Sequence, residues 1–137
     1  MDIIYEQISK LVLAIILSGF IGWEREISHK PAGLRTHMLV CVGSALITII
    51  SIDYFTSDTA RIVAGIITGI GFIGAGTTIA QGAKGVHGLT TAASLWVVAA
   101  LGISVGIGWY LLSIISAILI ISILFLGKVE RRLESAK

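Results

Sequence analysis

The chain has 137 residues, of which 55% are hydrophobic and 13% are charged, with a mean hydropathy of +0.97. Soluble domains carry roughly 25% charged residues, which cover the surface that faces water. This composition therefore excludes a soluble domain. The formal net charge of +2 is too small for a nucleic-acid surface, and the single cysteine, Cys41, excludes an intrachain disulfide. We therefore expect an integral membrane protein that is surrounded by the lipid bilayer.

Five hydrophobic runs alternate with short polar segments along the chain. A transmembrane helix needs about 20 mostly apolar residues, so five spans use roughly 100 residues. This arithmetic predicts an all-α fold, with one membrane domain over residues 1–137, no soluble C-terminal domain and no enzymatic activity. The spans are predicted at 5–23, 36–52, 62–80, 89–106 and 109–127.

The positions of lysine and arginine orient these spans. With five spans and an outer N-terminus, eight of the ten Lys and Arg residues lie on the inner side, whereas four spans remove this bias. Cytoplasmic loops carry an excess of both residue types. We therefore expect two helices between residues 89 and 127, an outer N-terminus and a cytoplasmic C-terminus.

Charged residues cluster at the predicted inner ends of the first two spans. Glu24, Arg25 and Glu26 close the first span, and Arg35 and His37 open the second. Carboxylates can bind Mg²⁺, so Glu24 is a candidate metal ligand and equally a candidate ion-pair partner of Arg25 or of Arg35. Glu26 is expected in an interfacial ion pair. His37 can titrate near neutral pH, although a lone histidine is more often only hydrogen-bonded.

The predicted outer loop before the third span contains Asp53, Asp58 and Arg61. Asp58 or Thr59 is expected to cap the third helix, and Arg61 is expected to pair with Asp53. Because these carboxylates lie across the membrane from Glu24, the spacing defines no shared metal site.

The third span is rich in glycine. Gly69, Gly71 and Gly74 match the G-x-G-x-x-G pattern of dinucleotide-binding turns, but that motif needs a preceding strand and an acidic residue about 20 positions later, and none follows before Glu130. In lipid, small residues let helix backbones approach closely. We expect tight packing of spans three and four, or else a broken third helix that binds an ion. The predicted packing residues are Gly65, Gly69, Gly71, Gly74 and Gly76 on span three and Ala92, Ala99, Gly102 and Gly106 on span four.

Thr90 and Thr91 open the fourth span. They are expected to bond helical carbonyl groups or to cap that helix, although threonines beside a glycine-rich segment can also bind a polar group. Trp96, inside the span, is expected to contact lipid or a neighbouring helix, and His29 and His87 are expected in solvated loops.

Four motifs, in this order, closely resemble the MgtC/SapB family of bacterial membrane proteins. They are Gly22-Trp-Glu-Arg-Glu26, the segment 32–40, the segment 61–76 and Gly88-Leu-Thr-Thr-Ala-Ala-Ser-Leu-Trp96. The resemblance implies a multi-pass protein of the bacterial plasma (inner) membrane that is linked to growth at low magnesium and, in some pathogens, to virulence. The motif residues carried over by position are Glu24, Arg25, Glu26, Gly33, Arg35, His37, Arg61, Gly69, Gly71, Gly74, Gly76, Thr90, Thr91 and Trp96.

Two functions follow from the residues and the resemblance. The first is a regulator or adaptor that binds a second copy, forming a dimer, or another membrane protein such as the ATP synthase. The second is an oligomeric pathway for a small cation such as Mg²⁺, with Glu24 and Arg35 at its inner mouth. An assembly subunit that needs a separate soluble domain is a third alternative. The chain departs from the family pattern at Gly65, where a glutamine is expected, and at His87, where an arginine is expected.

Overall fold

A computed structural model of the chain describes residues 2–79 and 87–134. Each helix of the described part contains an apolar stretch long enough to cross a membrane. The prediction of five spans in an all-helical protein is therefore confirmed, and the direction of crossing stays a prediction. The helices are α1 (Asp2–Ile27), α2 (Leu34–Tyr54), α3 (Thr59–Ile79), α4 (Leu89–Ile107) and α5 (Tyr110–Glu134).

Helix α4 forms the centre of the bundle and packs against each of the other four helices. Leu95, Val98, Ala99 and Val105 of this helix are completely buried. The main core joins α4 to α1, α2 and α5, and a smaller core joins it to α3 through Ile70. An apolar helix with most of its surface buried is the expected centre of a bundle in lipid, because the outer helices supply most of the lipid-facing surface.

The closest helix contact joins α4 to α2. A Cβ atom at Gly106 would lie 2.8 Å from Cβ of Thr48 and 2.9 Å from the carbonyl oxygen of Ala45. A Cβ atom at Gly102 would collide with the carbonyl oxygen of Cys41. Only glycine leaves room for this approach, which is the use that small residues have between helices in lipid.

Helix α3 packs on α4 with one face only. Gly74 is buried against Ala92, and Ile66 and Ile70 pack against the smaller core. The helix is continuous from Thr59 to Ile79, so the described residues show no break in it. Among the described residues beyond its own helix, a Cβ atom would meet nothing within 4 Å at the four other glycines for which packing was predicted, Gly65, Gly69, Gly71 and Gly76.

The turn between α4 and α5 separates two antiparallel helices, as the lysine and arginine pattern predicts. Gly108 has a φ of 95°, which favours glycine, and its N–H bonds the carbonyl groups of Ser104 and Val105. The hydroxyl groups of Ser104 and Ser113 then lie 2.8 Å apart and join the two helices.

Candidate functional site

A network of buried polar side chains lies at the end of the bundle where α1 ends and α2 and α4 begin. Helix α1 continues to Ile27, beyond the span end predicted at residue 23, so Glu24 and Arg25 occupy its last turns. The two residues are only 5% and 3% exposed. Buried charges in a membrane protein need partners, and they are functional-site candidates by default.

Glu24 and Arg25 contact each other, and each has a further hydrogen-bond partner, Ser28 for Glu24 and Thr91 for Arg25. Oε1 of Glu24 accepts a hydrogen bond from Ser28 at 2.7 Å, and Oε2 lies 3.6 Å from Nη1 of Arg25. Nη2 of Arg25 donates to the hydroxyl group of Thr91 on α4 at 3.3 Å. Of the two ion-pair partners predicted for Glu24, Arg25 makes the pair within α1, and the side chain of Arg35 is exposed.

His37 extends the network into α2. Its ring is fully buried, with Nδ1 2.8 Å from the carbonyl oxygen of Gly33 and Nε2 3.1 Å from Oγ of Ser94. A carbonyl oxygen only accepts, so Nδ1 carries a proton. Ser94 also lies 2.8 Å from the backbone carbonyl of Thr91. The polar contacts thus run without interruption from α1, through α4, to α2.

Glu26 caps helix α2 from across the loop. Gly33, at the N-cap position, has no side chain to bond the helix, and Oε2 of Glu26 accepts from the N–H of Leu34 at 2.9 Å. A carboxylate at a helix N-terminus is also favoured by the helix dipole. A Cβ atom at Gly33 would overlap this carboxylate. The interfacial ion pair expected for Glu26 is therefore replaced by a helix cap.

Two members of the network, and one glycine that packs beside it, were not predicted from the sequence. Ser28 and Ser94 follow Glu24 and Thr91 by four and three residues, spacings that place side chains on one helix face. The glycine is Gly22, where a Cβ atom would lie 2.8 Å from Cα of Leu34 and 3.0 Å from Cβ of His37. The spacing of the two serines in the sequence could therefore have indicated that they lie beside Glu24 and Thr91.

The sequence of residues 11–133, which is most of the chain, matches the sequence model of the MgtC family. The chain belongs to the MgtC family. Over 128 residues it is 43% identical to "Putative magnesium transporter YhiD" of Escherichia coli K12, covering 87% of this chain and 59% of that protein. Over 134 residues it is 39% identical to Protein SapB of Bacillus subtilis, covering 90% and 58%.

A further relative is Protein MgtC of Brucella abortus, which is 41% identical over 111 residues, covering 80% of this chain and 46% of that protein. The chain thus spans about half the length of the curated relatives it matches. No solved structure matches it. Together with the apolar helices, family membership identifies a multi-pass membrane protein.

In this MgtC family member, the polar residues predicted near the other end of the helices form separate surface contacts. Arg61 lies 3.2 Å from Asp58, three residues earlier, and both are at least partly exposed. The predicted partner, Asp53, instead accepts a hydrogen bond from Gln7 of α1. These groups lie apart from the Glu24 network, as the sequence indicated.

The threonines at the start of α4 differ in role. Thr91 is buried and binds Arg25, whereas Thr90 is exposed. The expected threonine cap is wrong, because the N-cap residue is Gly88, with a φ of 91° and no side-chain bond to the helix. Trp96 is 47% exposed on the outer face of α4, as expected for a lipid-contacting side chain.

The contacts of the Glu24 carboxylate leave little room for the magnesium ion predicted there. Its carboxylate is held by Ser28 and Arg25 and is almost inaccessible. Among residues 2–79 and 87–134, no three His, Cys, Asp or Glu side chains are grouped closely enough to hold a metal ion. A cation at Glu24 would have to displace the Arg25 guanidinium, which carries the same charge sign.

Proposed function

We propose that this protein is a non-enzymatic regulator or adaptor of the bacterial plasma membrane that acts by binding another membrane-embedded protein. The observation that carries the proposal is a groove of about 560 Å³ between α2 and α3, with Gly43, Gly65 and Gly69 among its lining residues. A Cβ atom at any of these three glycines would meet nothing within 4 Å. The groove therefore exposes backbone to the surrounding membrane.

The contrast with α4 supports this interpretation. At Gly102 and Gly106, the missing side chains admit the backbone of α2, so the glycines are used inside the bundle. Gly65, Gly69 and Gly76 follow one another by four and seven residues and share a face of α3, on which an added Cβ atom meets nothing within 4 Å among the described residues of other helices. In lipid, close packing of backbones drives helix association, so this face suits a helix of another subunit.

The occupant we propose is a second copy of the chain, forming a dimer, or a helix of a membrane protein such as the ATP synthase. The second partner and the link to magnesium limitation rest on the resemblance to the MgtC/SapB family. The same proposal places the N-terminus outside and the C-terminus in the cytoplasm, because this orientation puts eight of the ten Lys and Arg residues inside.

Two leucine substitutions on α3 test the proposal. Gly69→Leu fills the groove, whereas Gly71→Leu adds the same volume on another exposed part of the helix, and a Cβ atom at either position meets nothing within 4 Å among the described residues beyond its own helix. We expect Gly69→Leu to abolish energy transfer between donor- and acceptor-labelled copies in liposomes, or co-purification of ATP synthase subunits from the native membrane. Gly71→Leu should preserve both. Unchanged association in Gly69→Leu would contradict the proposal.

A second candidate function is a small-cation pathway built by oligomerisation. It is favoured by the buried Glu24–Arg25 pair, because ionisable residues inside membranes mark ion pathways, and by the transporter name of the relative YhiD. Purified protein in liposomes would be assayed for Mg²⁺ and proton flux. Equal flux through a Glu24→Gln variant would remove Glu24 from the pathway, and no flux above empty liposomes would exclude the function.

A further inference from the structure

A polar cavity of about 260 Å³ lies beside the buried network, between the loop that follows α1 and the start of α4. Arg25 and Thr91 are buried at its floor, whereas His29 and His87 at its mouth are exposed. Lys30 is half-buried in the wall. Four of the eight described lining residues are therefore basic, and none of the eight is acidic.

The N-terminus of α4 adds donors to the same cavity. Gly88 and Thr90 line it, and the N-cap glycine offers no side-chain acceptor to the first helical N–H groups. Such groups lack partners within the helix, and the helix dipole concentrates positive potential there. The hydroxyl group of Thr91 accepts its bond from Arg25 and retains its own proton for donation.

The two nearby carboxylates are not among the described residues that line the cavity. Oε2 of Glu24 lies 3.6 Å from Nη1 of Arg25, whereas Nη2 of Arg25 donates to the lining residue Thr91. Glu26 caps α2. The described lining residues are thus basic or neutral.

We propose that this cavity binds a small oxyanion of the phosphate type, either as a free ion or as the phosphate of a lipid headgroup. Helix N-termini combined with arginine and lysine are the protein groups that recognise phosphate. The volume lies below the roughly 300–1,000 Å³ of pockets for drug-sized ligands, which suits a group of this size. The inference is independent of the helix-binding function proposed above.

His29 provides a substitution that changes the cavity without weakening the fold. It has a φ of 51°, and its N–H bonds the carbonyl of Glu26, while the N–H of Lys30 bonds the carbonyl of Arg25. This is the helix ending at which glycine is preferred. We therefore expect His29→Gly to keep or raise the melting temperature while removing one imidazole ring from the cavity.

The test measures binding to the full chain in phosphate-free detergent. Radiolabelled inorganic phosphate is followed by equilibrium dialysis, and native mass spectrometry compares retention of phosphatidylglycerol with that of diacylglycerol, which lacks the phosphate. We expect Lys30→Gln to bind about tenfold more weakly, the effect of losing one charged hydrogen bond. His29→Gly should bind more weakly than the wild type. Arg35→Gln, which removes an exposed cation outside the cavity, should bind as the wild type does.

The two measurements, dialysis and native mass spectrometry, distinguish a free oxyanion from a lipid headgroup. Dialysis binding that Lys30→Gln weakens identifies a site for the free ion, and selective retention of phosphatidylglycerol that Lys30→Gln weakens identifies a headgroup site. Either result supports the proposal. It is overturned if the wild type binds neither probe, or if Lys30→Gln and Arg35→Gln bind equally.

Discussion

Nε2 of His37 lies 3.1 Å from Oγ of Ser94, and this contact joins α2 to α4 inside the bundle. The same hydroxyl group lies 2.8 Å from the carbonyl oxygen of Thr91. Because a serine has one hydroxyl proton, Ser94 either donates it to a neutral His37 or donates it to Thr91 and accepts from a protonated His37. Rotation of one hydroxyl group therefore accommodates both charge states of the ring.

Removing this hydroxyl group should destabilise the protein. Ser94→Ala leaves Nε2 of a buried histidine without its partner, and an unsatisfied buried polar group costs about 1–3 kcal/mol. The free energy of unfolding in mixed micelles would measure the loss. Ser122→Ala is the matched control, because Ser122 is exposed and bonds only the carbonyl of Ile118 in its own helix. Equal unfolding free energies for the two variants would refute the role of Ser94.

The Glu24–Arg25 pair should behave as a buried ion pair. Arg25→Gln leaves the Glu24 carboxylate buried without its countercharge, and breaking such a pair costs about 3–5 kcal/mol. The double variant Glu24→Gln/Arg25→Gln removes both charges and should be more stable than Arg25→Gln. Chemical unfolding of the two variants and the wild type tests this order. A double variant less stable than Arg25→Gln would show that the charges do not act as a pair.

Glu26 should stabilise the start of α2 through its oxygen acceptor. Glu26→Ala removes the acceptor for the N–H of Leu34, and loss of a helix cap costs about 0.5–2 kcal/mol. Glu26→Gln keeps an oxygen acceptor and should retain most of the stability. Amide hydrogen exchange of the first turn of α2 would report this end directly. Faster exchange in Glu26→Gln than in Glu26→Ala would be inconsistent with a cap.

Alanine should have opposite effects at two glycines. At Gly106 the added Cβ atom would lie 2.8 Å from Cβ of Thr48, and overpacking of this kind costs about 1–3 kcal/mol. At Gly65 it meets nothing within the chain, so Gly65→Ala should stabilise α3 by up to about 1 kcal/mol through its higher helix propensity. Thermal unfolding of the purified variants compares them. A Gly106→Ala variant as stable as the wild type would contradict the described α2–α4 approach.

Labelling of single cysteines would determine the orientation. In a Cys41→Ala background, Tyr54→Cys and Pro31→Cys place one exposed thiol at each end of α2. We expect a membrane-impermeant maleimide to label Tyr54→Cys in intact cells and Pro31→Cys only after permeabilisation, because the lysine and arginine pattern puts residue 31 inside. The reverse pattern would invert the proposed topology.

The number and approximate position of the helices were predictable because they depend on local properties. Runs of about 20 apolar residues must be helical in lipid, since every backbone polar group needs an internal partner. Two helices continue beyond the predicted ends of their spans, α1 to Ile27 rather than residue 23 and α5 to Glu134 rather than residue 127. Hydropathy marks where charge begins, and charged residues such as Glu24 can remain helical beyond that point.

The partners of the charged residues were less predictable. Arg35 and Arg25 are similar candidates for Glu24 on charge alone, and only the additional turn of α1 places Arg25 inside the bundle while Arg35 stays exposed. For the glycines too, residue type alone does not predict which neighbour each one contacts. Gly65 and Gly106 are equally small, but one faces open space and the other the backbone of α2.

The sequence by itself determined a five-helix membrane protein of the MgtC family with its charges concentrated near helix ends. The tertiary structure decided that Arg25, Thr91, Ser94 and His37 form one network and that part of α3 stays uncovered. The physical reason is that apolar length is a property of each segment alone, whereas a side chain's partner depends on how its helix is rotated against its neighbours.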